Sequence, residues 1–253
     1  MQVKQKYMRK SKIGIGVWDL HYPYHDKRLW MNILLLVAKL KPKFFVFGGD
    51  NLDMKPFSHW IHSKGDMRTL EGARIREDYE NFNNDIQIPL NSILHNCEKH
   101  WLKGNHEDWA RQAIDRNPQG EGYWEIENNV DLNGWNVYEL NEVATIGKMN
   151  FIHGIYTNEH HAKKTVTNYE SNVFYGHAHD HQSYTKITPI RNEPHIGMSI
   201  PCAGKTNPDY NRNKPNKWVT GFLIFEILPD GNFTTYPIIA NNGVFSYNGK
   251  LYD

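Results

Sequence analysis

The chain has 253 residues, of which 39% are hydrophobic and 23% charged; this is enough for one sizeable α/β core and describes a folded soluble domain rather than a disordered or fibrous chain. Lysine and arginine number 29 against 28 aspartates and glutamates, and the net charge of +1 gives no ground for inferring a nucleic-acid partner from bulk electrostatics. The 14 histidines against 2 cysteines point to histidine and carboxylate metal chemistry and away from thiolate zinc. Cys97 and Cys202 offer no disulfide framework, so a reducing cytoplasm is expected. The longest apolar run, Ile33 to Ala38, is too short to span a bilayer, and the basic N-terminus lacks the apolar stretch of a signal peptide.

Residues 1–12 carry Lys4, Lys6, Arg9, Lys10 and Lys12 without an acid and read as a solvated arm; residues 13–253 read as a single domain. Ile13 to Trp18 is an expected buried strand ending at Asp19. Asp26 is placed to cap a helix from Lys27 to Leu40, whose apolar residues Leu29, Ile33, Leu36, Val37 and Leu40 recur at helical spacing. Phe44 to Phe47 is a second buried strand, and strand–helix–strand with short joints makes a parallel crossover unit. Leu70 to His95 is expected to be helical with a break near Pro89, and His100 to Leu102 is a third strand. Short strands then follow around Val137 and Val143, at Met149 to Ile152, Val173 to Tyr175, Tyr184 to Ile187, Gly197 to Ile200, Phe222 to Ile227 and Phe233 to Ile239.

Five segments just past strand ends hold the chemistry: Asp19-Leu20-His21, Gly49-Asp50-Asn51-Leu52-Asp53, Gly104-Asn105-His106-Glu107, Ile152-His153-Gly154 and Gly176-His177-Ala178-His179. The carboxyl ends of strands are where open α/β sheets place ligands. Taken singly, His153 reads as a hydrogen-bonded core histidine and Asp50 as a turn residue. Together the five offer a mixed oxygen and nitrogen set that suits Mn²⁺, Fe or Zn²⁺. In extended chain, a D-x-H or H-x-H spacing puts both side chains on one side.

In this order, the motifs D-x-H, G-D-x-x-D, G-N-H-E, H and G-H-x-H resemble the calcineurin-like metallophosphoesterase superfamily, over Asp19 to His179. The resemblance implies a four-layer α/β sandwich, two mixed β-sheets flanked by helices, with a dinuclear site at one edge. It implies that Asp19, His21 and His179 hold one divalent metal ion, that Asn105, His153 and His177 hold a second, and that Asp50 bridges both. Mn²⁺ is the expected ion, with Fe, Zn²⁺ and Ni²⁺ compatible with the same ligands. It further implies hydrolysis of a phosphodiester by a metal-activated hydroxide, with His106 as general acid and Asp53 orienting the His106 ring. Met54-Lys55 after Asp53, and Tyr22 after His21, depart from the Arg-Gly and D-x-H-G of the family's protein phosphatases.

Nucleic acid or a nucleotide is therefore the expected substrate, with a phosphomonoester of a small metabolite or phosphoprotein as the alternative and a non-catalytic metal-binding scaffold as a third reading. Residues 205–217 form a polar basic stretch ahead of Trp218, where Lys205, Tyr210 and Arg212 are candidate substrate contacts that could track a phosphate backbone and stack a base; a plain solvated loop fits the same residues. "Pro-Cys-Ala-Gly" with the following Pro-Asp-Tyr and Gly-Phe resembles small bacteriophage metallophosphoesterases often labelled DNA-repair exonucleases, in which case the compartment is the host cytoplasm. His161 and His181 are further candidate contacts. His160-His161 with Lys163-Lys164 also reads as an exposed polar turn.

Overall fold

The structure is a computed structural model that describes residues 10–65, 67–190, 193–208, 211 and 213–253; Lys4, Lys6 and Arg9 of the basic arm lie outside the described residues. Lys12, assigned to that arm from sequence, instead opens strand β1 (Lys12–Val17). Helix α1 (Lys27–Leu40) follows, started by Asp26, whose carboxylate accepts the Leu29 N–H at 3.0 Å. Its buried stripe of Leu29, Ile33, Leu36 and Val37 faces the sheet. Lys41 then turns left-handed and donates its N–H to Val37 O, and the chain re-enters as β2 (Phe44–Phe47).

Between the second and third motif strands the chain is mostly helical: α2 (His59–Lys64), α3 (Ile75–Phe82), a π-helical turn at Asn83–Gln87, and α4 (Ile88–Ile93). Sequence reasoning placed a break at Pro89, but the chain stays helical through it. A proline lacks an N–H and its ring crowds the carbonyl four residues back; here it sits in the first turn of α4, directly behind a wider turn that relieves both problems. After β3 (Glu98–Leu102) come α5 (Asn105–Arg116), α6 (Ile126–Asn129), β4 (Trp135–Tyr138), β5 (Ala144–Ile146), β6 (Met149–Phe151), α7 (His161–Tyr169), β7 (Val173–Tyr175), β8 (Ser183–Lys186), β9 (His195–Ser199), β10 (Gly221–Ile227) and β11 (Phe233–Ile239). A C-terminal hairpin of β12 (Phe245–Tyr247) and β13 (Lys250–Tyr252), not anticipated from sequence, packs against α1.

Two mixed sheets result, in the orders β11-β10-β1-β2-β3-β4 and β5-β6-β7-β9-β8. β1 to β4 run parallel, while β10 joins β1 antiparallel and pairs in turn with β11, Leu223 lying opposite Pro237. In β2, Phe45 and Phe47 enter the core against α1, α3 and α4, whereas Phe44 and Val46 enter the core between the sheets. All four are buried, which is the pattern of a parallel strand covered on both faces. On the outer side of the second sheet, α7 packs against β7, β8 and β9. The layers therefore run helices, sheet, sheet, helix, as the four-layer expectation required. Among the described residues no helix is long and apolar enough to cross a membrane.

Trp18 sits between the sheets at the end of β1, fully buried, and donates its indole N–H to Ile152 O at 3.0 Å across the sandwich. A Cβ at Gly48 or at Gly176 would overlap this indole, so the glycines that precede two of the motif loops make its space. Trp18→Ala is expected to destabilise the protein by about 3–5 kcal/mol, the usual cost of emptying a large aromatic site. Urea denaturation of metal-free protein measures this.

Candidate metal centre

Five short loops bring the motif residues together at the carboxyl ends of β1, β2, β3, β6 and β7. The loops after β1 and β2 are laced along their backbones: Asp19 N donates to Gly49 O, His21 N to Asp50 O, Tyr22 N to Asn51 O and Asp53 N to Tyr22 O. The loops after β2 and β3 are joined by a residue that sequence reasoning left without a role. The buried Glu107 carboxylate accepts the N–H groups of Asp50 (2.9 Å), Asn51 (2.7 Å), Leu52 (3.1 Å) and Gly104 (2.8 Å). Burial and the nearby Asp50 push the Glu107 carboxyl up, against the pull of these donors. Its position three residues past Gly104 was the available signal, since Gly104-Asn105-His106-Glu107 opens α5 and a glutamate there reaches back to the helix start. Asn105 and His106 thus lie in the first turn of that helix.

Asp50 is held in the same way: its Oδ1 accepts the His106 N–H at 2.9 Å at the start of α5, which suits a carboxylate. Asp50 Oδ2 faces His153 Nε2 at 3.3 Å, His21 Nε2 at 3.8 Å and His106 Nε2 at 3.8 Å. Asp19 accepts the His177 N–H, and its Oδ1 lies 3.5 Å from His179 Nε2. Nε2 of His21 and Nε2 of His179 are 3.1 Å apart, while Asn105 Oδ1 is 3.0 Å from His153 Nε2. Three compact groups emerge among the described residues, Asp19–His21–Asp50–His179, Asp50–His153–His177 and His21–Asp53–His106, and Asp50 belongs to the first two. Asp19, His21, Asp50, His177 and His179 all have positive φ, from 49° to 66°. Side chains with a Cβ avoid that region unless their surroundings impose it.

These residues fit divalent cations by their donor chemistry. His153 Nδ1 donates to Gly48 O at 3.1 Å, so a neutral ring leaves Nε2 as a bare lone pair facing two further acceptors, Asp50 Oδ2 and Asn105 Oδ1. Something positive has to sit there. Without a metal ion a proton fills the place: burial favours the neutral ring, but the Asp50 carboxylate and its hydrogen bond outweigh burial and push the His153 pKa up to about 9. Burial would raise the Asp50 carboxyl, yet His153, His106 and His21 hold it well below the usual carboxylate range. On His21 burial dominates, with His106 adding, and its pKa is lowered; on His177 burial and then His153 do the same. Among the described residues the buried Nδ1 of His179 has no hydrogen-bond partner, which leaves Nε2, turned toward Asp19 and His21, as the atom of that ring with work to do.

His106 lies at the rim of this group. Its Nδ1 donates to the main-chain O of Asp53 at 2.7 Å, and its ring stacks on the buried Trp109 with centroids 3.9 Å apart. The Asp53 carboxylate, assigned to His106 from sequence, is 3.7 Å from His106 Nδ1 but 3.2 Å from His21 Nδ1. A main-chain carbonyl already occupies the His106 nitrogen, so the side chain turns to the other ring.

Of the residues named as substrate contacts, His161 is corrected. It is 1% exposed, and its two ring nitrogens are taken by the Tyr175 hydroxyl (2.7 Å) and by Asp180 Oδ2 (3.0 Å). It belongs to α7, where an exposed polar turn was expected, and through Asp180 it braces the loop that carries His177 and His179. His181 bonds Ser199 O through Nδ1, Lys205 is exposed, and Tyr210 and Arg212 lie outside the described residues. Trp218 packs its ring against His179, centroids 4.4 Å apart.

No family model matches the chain, and no curated protein matches it. Among solved structures, it is similar to vacuolar protein sorting 29 from Cryptosporidium parvum (14% identity over 96% of this chain and 95% of that one, TM-score 0.48). It is also similar to wild-type Vps29 complexed with zinc from Entamoeba histolytica (12%, 94% and 95%, TM-score 0.45). A third is a metallophosphoesterase from Sphaerobacter thermophilus (18%, 89% and 87%, TM-score 0.42). In motif order and in the two-sheet arrangement around those motifs, the chain resembles the calcineurin-like metallophosphoesterases.

A pH dependence follows for metal-free protein. The proton on His153 is bound more tightly folded than unfolded, so its stabilisation is complete below the ordinary histidine pKa of 6.5 and is lost as pH rises through about 9. The thermal midpoint in EDTA should therefore fall across that window. Saturating Mn²⁺, which replaces the proton, should remove the fall.

Proposed function

We propose that this chain is a metal-dependent phosphoesterase of the calcineurin-like superfamily that hydrolyses a phosphodiester of a nucleotide or nucleic acid. The observation that carries the reading is Asp50, one carboxylate shared by two ligand groups. Asp19, His21, Asp50 and His179 would hold one divalent cation, and Asp50, Asn105, His153 and His177 the other. Such ions, when bound, supply the Lewis acidity that polarises a phosphoryl oxygen and acidifies water.

The chain's own residues supply the rest. His106 Nδ1 donates its N–H to the Asp53 carbonyl and keeps that proton, so in the doubly protonated ring Nε2, on the Asp50 side, is the atom that would hand its proton to a departing oxygen, leaving the neutral ring. The stack on Trp109 and the bond to Asp53 O fix the ring for that role without recruiting a carboxylate. The diester preference is supported by Met54-Lys55 after Asp53 and by the exposed Lys205, Lys214 and Lys217 in the segment leading to Trp218. Mn²⁺ is the ion of choice for this mixed donor set, and the cytoplasm, of a host cell if the chain is phage-encoded, is the proposed compartment.

A second reading, a small phosphorylated metabolite, is favoured by a cavity of about 190 Å³ that opens at Asp53 and is lined also by Tyr24, Lys55, Glu71 and Asp78. Burial, with Asp53 and Glu77 adding, pushes the Asp78 carboxyl up to about 6. A small neutral or cationic group suits this lining better than a polyanion does.

Hydrolysis of bis-p-nitrophenyl phosphate, p-nitrophenyl phosphate, cyclic nucleotides and single- and double-stranded DNA with Mn²⁺ separates these readings; activity on DNA or nucleotide diesters above that on monoesters is expected, and the reverse ranking selects the metabolite. EDTA should abolish activity, and Asp50→Asn should lower total bound metal and turnover together. His106→Asn should keep its metal and lose roughly 10²–10⁴ in rate on natural esters, with a smaller loss on p-nitrophenyl esters whose leaving group needs no proton. Equal losses on both would remove His106 from the general-acid role.

A further inference from the structure

We propose that Asp53 is a positioning residue for His21: its carboxylate fixes the His21 ring with Nε2 bare and aimed at Asp19, Asp50 and His179, while the His106 ring makes its hydrogen bond to the Asp53 main-chain carbonyl and stacks on Trp109. The inference rests on the metal reading above and assigns the second carboxylate of the Gly-Asp-x-x-Asp segment to binding the ion rather than to the proton-transfer histidine.

The geometry starts in the backbone. Residues 19–22 and 50–53 run side by side, tied by His21 N to Asp50 O, Tyr22 N to Asn51 O and Asp53 N to Tyr22 O, with Tyr22 and Leu52 paired as in a parallel bridge. This register carries the Asp53 side chain to the outer edge of the His21 ring. There Oδ1 meets Nδ1 at 3.2 Å, with both side chains buried. A carboxylate only accepts, so Nδ1 is the donor and carries the ring's proton. The neutral ring then presents Nε2 as a lone pair. Nε2 is the atom that lies 3.1 Å from His179 Nε2 and 3.8 Å from Asp50 Oδ2, inside the four-residue group.

Were Nδ1 left without this acceptor, the proton could move to Nε2 and block the position a cation needs. A carboxylate behind a ligating imidazole sets the tautomer and makes the ring a better donor, and losing it typically weakens metal binding roughly 10- to 100-fold. His106 has no such dependence. Its Nδ1 is 2.7 Å from the Asp53 carbonyl and 3.7 Å from the carboxylate, so changing the side chain leaves its hydrogen bond in place.

The test compares Mn²⁺ binding by full-length native protein, Asp53→Asn and His106→Asn, using isothermal titration calorimetry, with circular dichroism to check folding. Asp53→Asn is expected to weaken the affinity for Mn²⁺ by roughly 10- to 100-fold. At saturating Mn²⁺ it should show native ratios of activity between good and poor leaving groups. His106→Asn should show native affinity and altered ratios. Native affinity in Asp53→Asn together with altered leaving-group ratios would overturn the inference and return the carboxylate to His106. Absence of Mn²⁺ binding by the native protein would remove the metal reading itself. A measurement that needs no variant is ¹⁵N–¹H correlation of the histidine rings in metal-free native protein: the proton of His21 is expected on Nδ1, and finding it on Nε2 would also overturn the inference.

Discussion

Four main-chain N–H groups from two separate loops converge on the buried carboxylate of Glu107, and the rest of the centre depends on that convergence. The loop after β2 could not hold Asp50, Asn51 and Leu52 in their turned conformations, away from water, with their N–H groups unmet. Because the acceptor belongs to the first turn of α5, the same contact fixes that helix against β2. With the helix fixed, the His106 N–H reaches Asp50 Oδ1, Asn105 reaches His153, and the His106 ring reaches the Asp53 carbonyl. A Cβ at Gly104 would overlap the Asp50 carboxylate, which shows how closely the two loops are drawn together.

The centre collects like with like. Asp19, Asp50, Asp53 and Glu107 are all buried, and between them lie the rings of His21, His153 and His179, likewise buried. Two devices keep such a collection folded. Oriented backbone N–H groups satisfy one side of each of Asp19, Asp50 and Glu107. The ring nitrogens that face outward donate to oxygens: His153 to Gly48 O, His21 to Asp53, His106 to Asp53 O. What is left points inward as lone pairs, and an interior of lone pairs is a demand for positive charge.

Much of the architecture was legible because burial on both faces writes itself as a continuous apolar run. Phe44 to Phe47 is the clearest instance, and the α1 bounds follow from Asp26 and the Leu29–Ile33–Leu36–Val37 stripe. Less legible was whatever depends on which neighbour lies across a gap. The seven expected ligands could be named from motif order, but the partner of Asp53 could not, since its choice between two imidazoles is settled by the register of the 19–22 and 50–53 segments. His161 looked exposed because α7 is polar in composition, with two lysines beside it; its buried face is made by His161, Ala162, Thr165 and Val166, with His161 bonded to Tyr175 and Asp180. Pro89 read as a break because a π-helical turn leaves no mark in the sequence pattern.

Asp19, His21, Asp50, His177 and His179 each hold the backbone in a left-handed conformation that glycine would adopt freely. Each such residue costs on the order of 1–3 kcal/mol. Drift therefore has a direction here. In a lineage that no longer needed the cation, glycine or asparagine at any of these positions would be rewarded with stability, and the set would erode one member at a time. Erosion would begin with these aspartates and histidines, long before the Phe44–Phe47 core felt any change. In this chain all five positions carry an aspartate or a histidine.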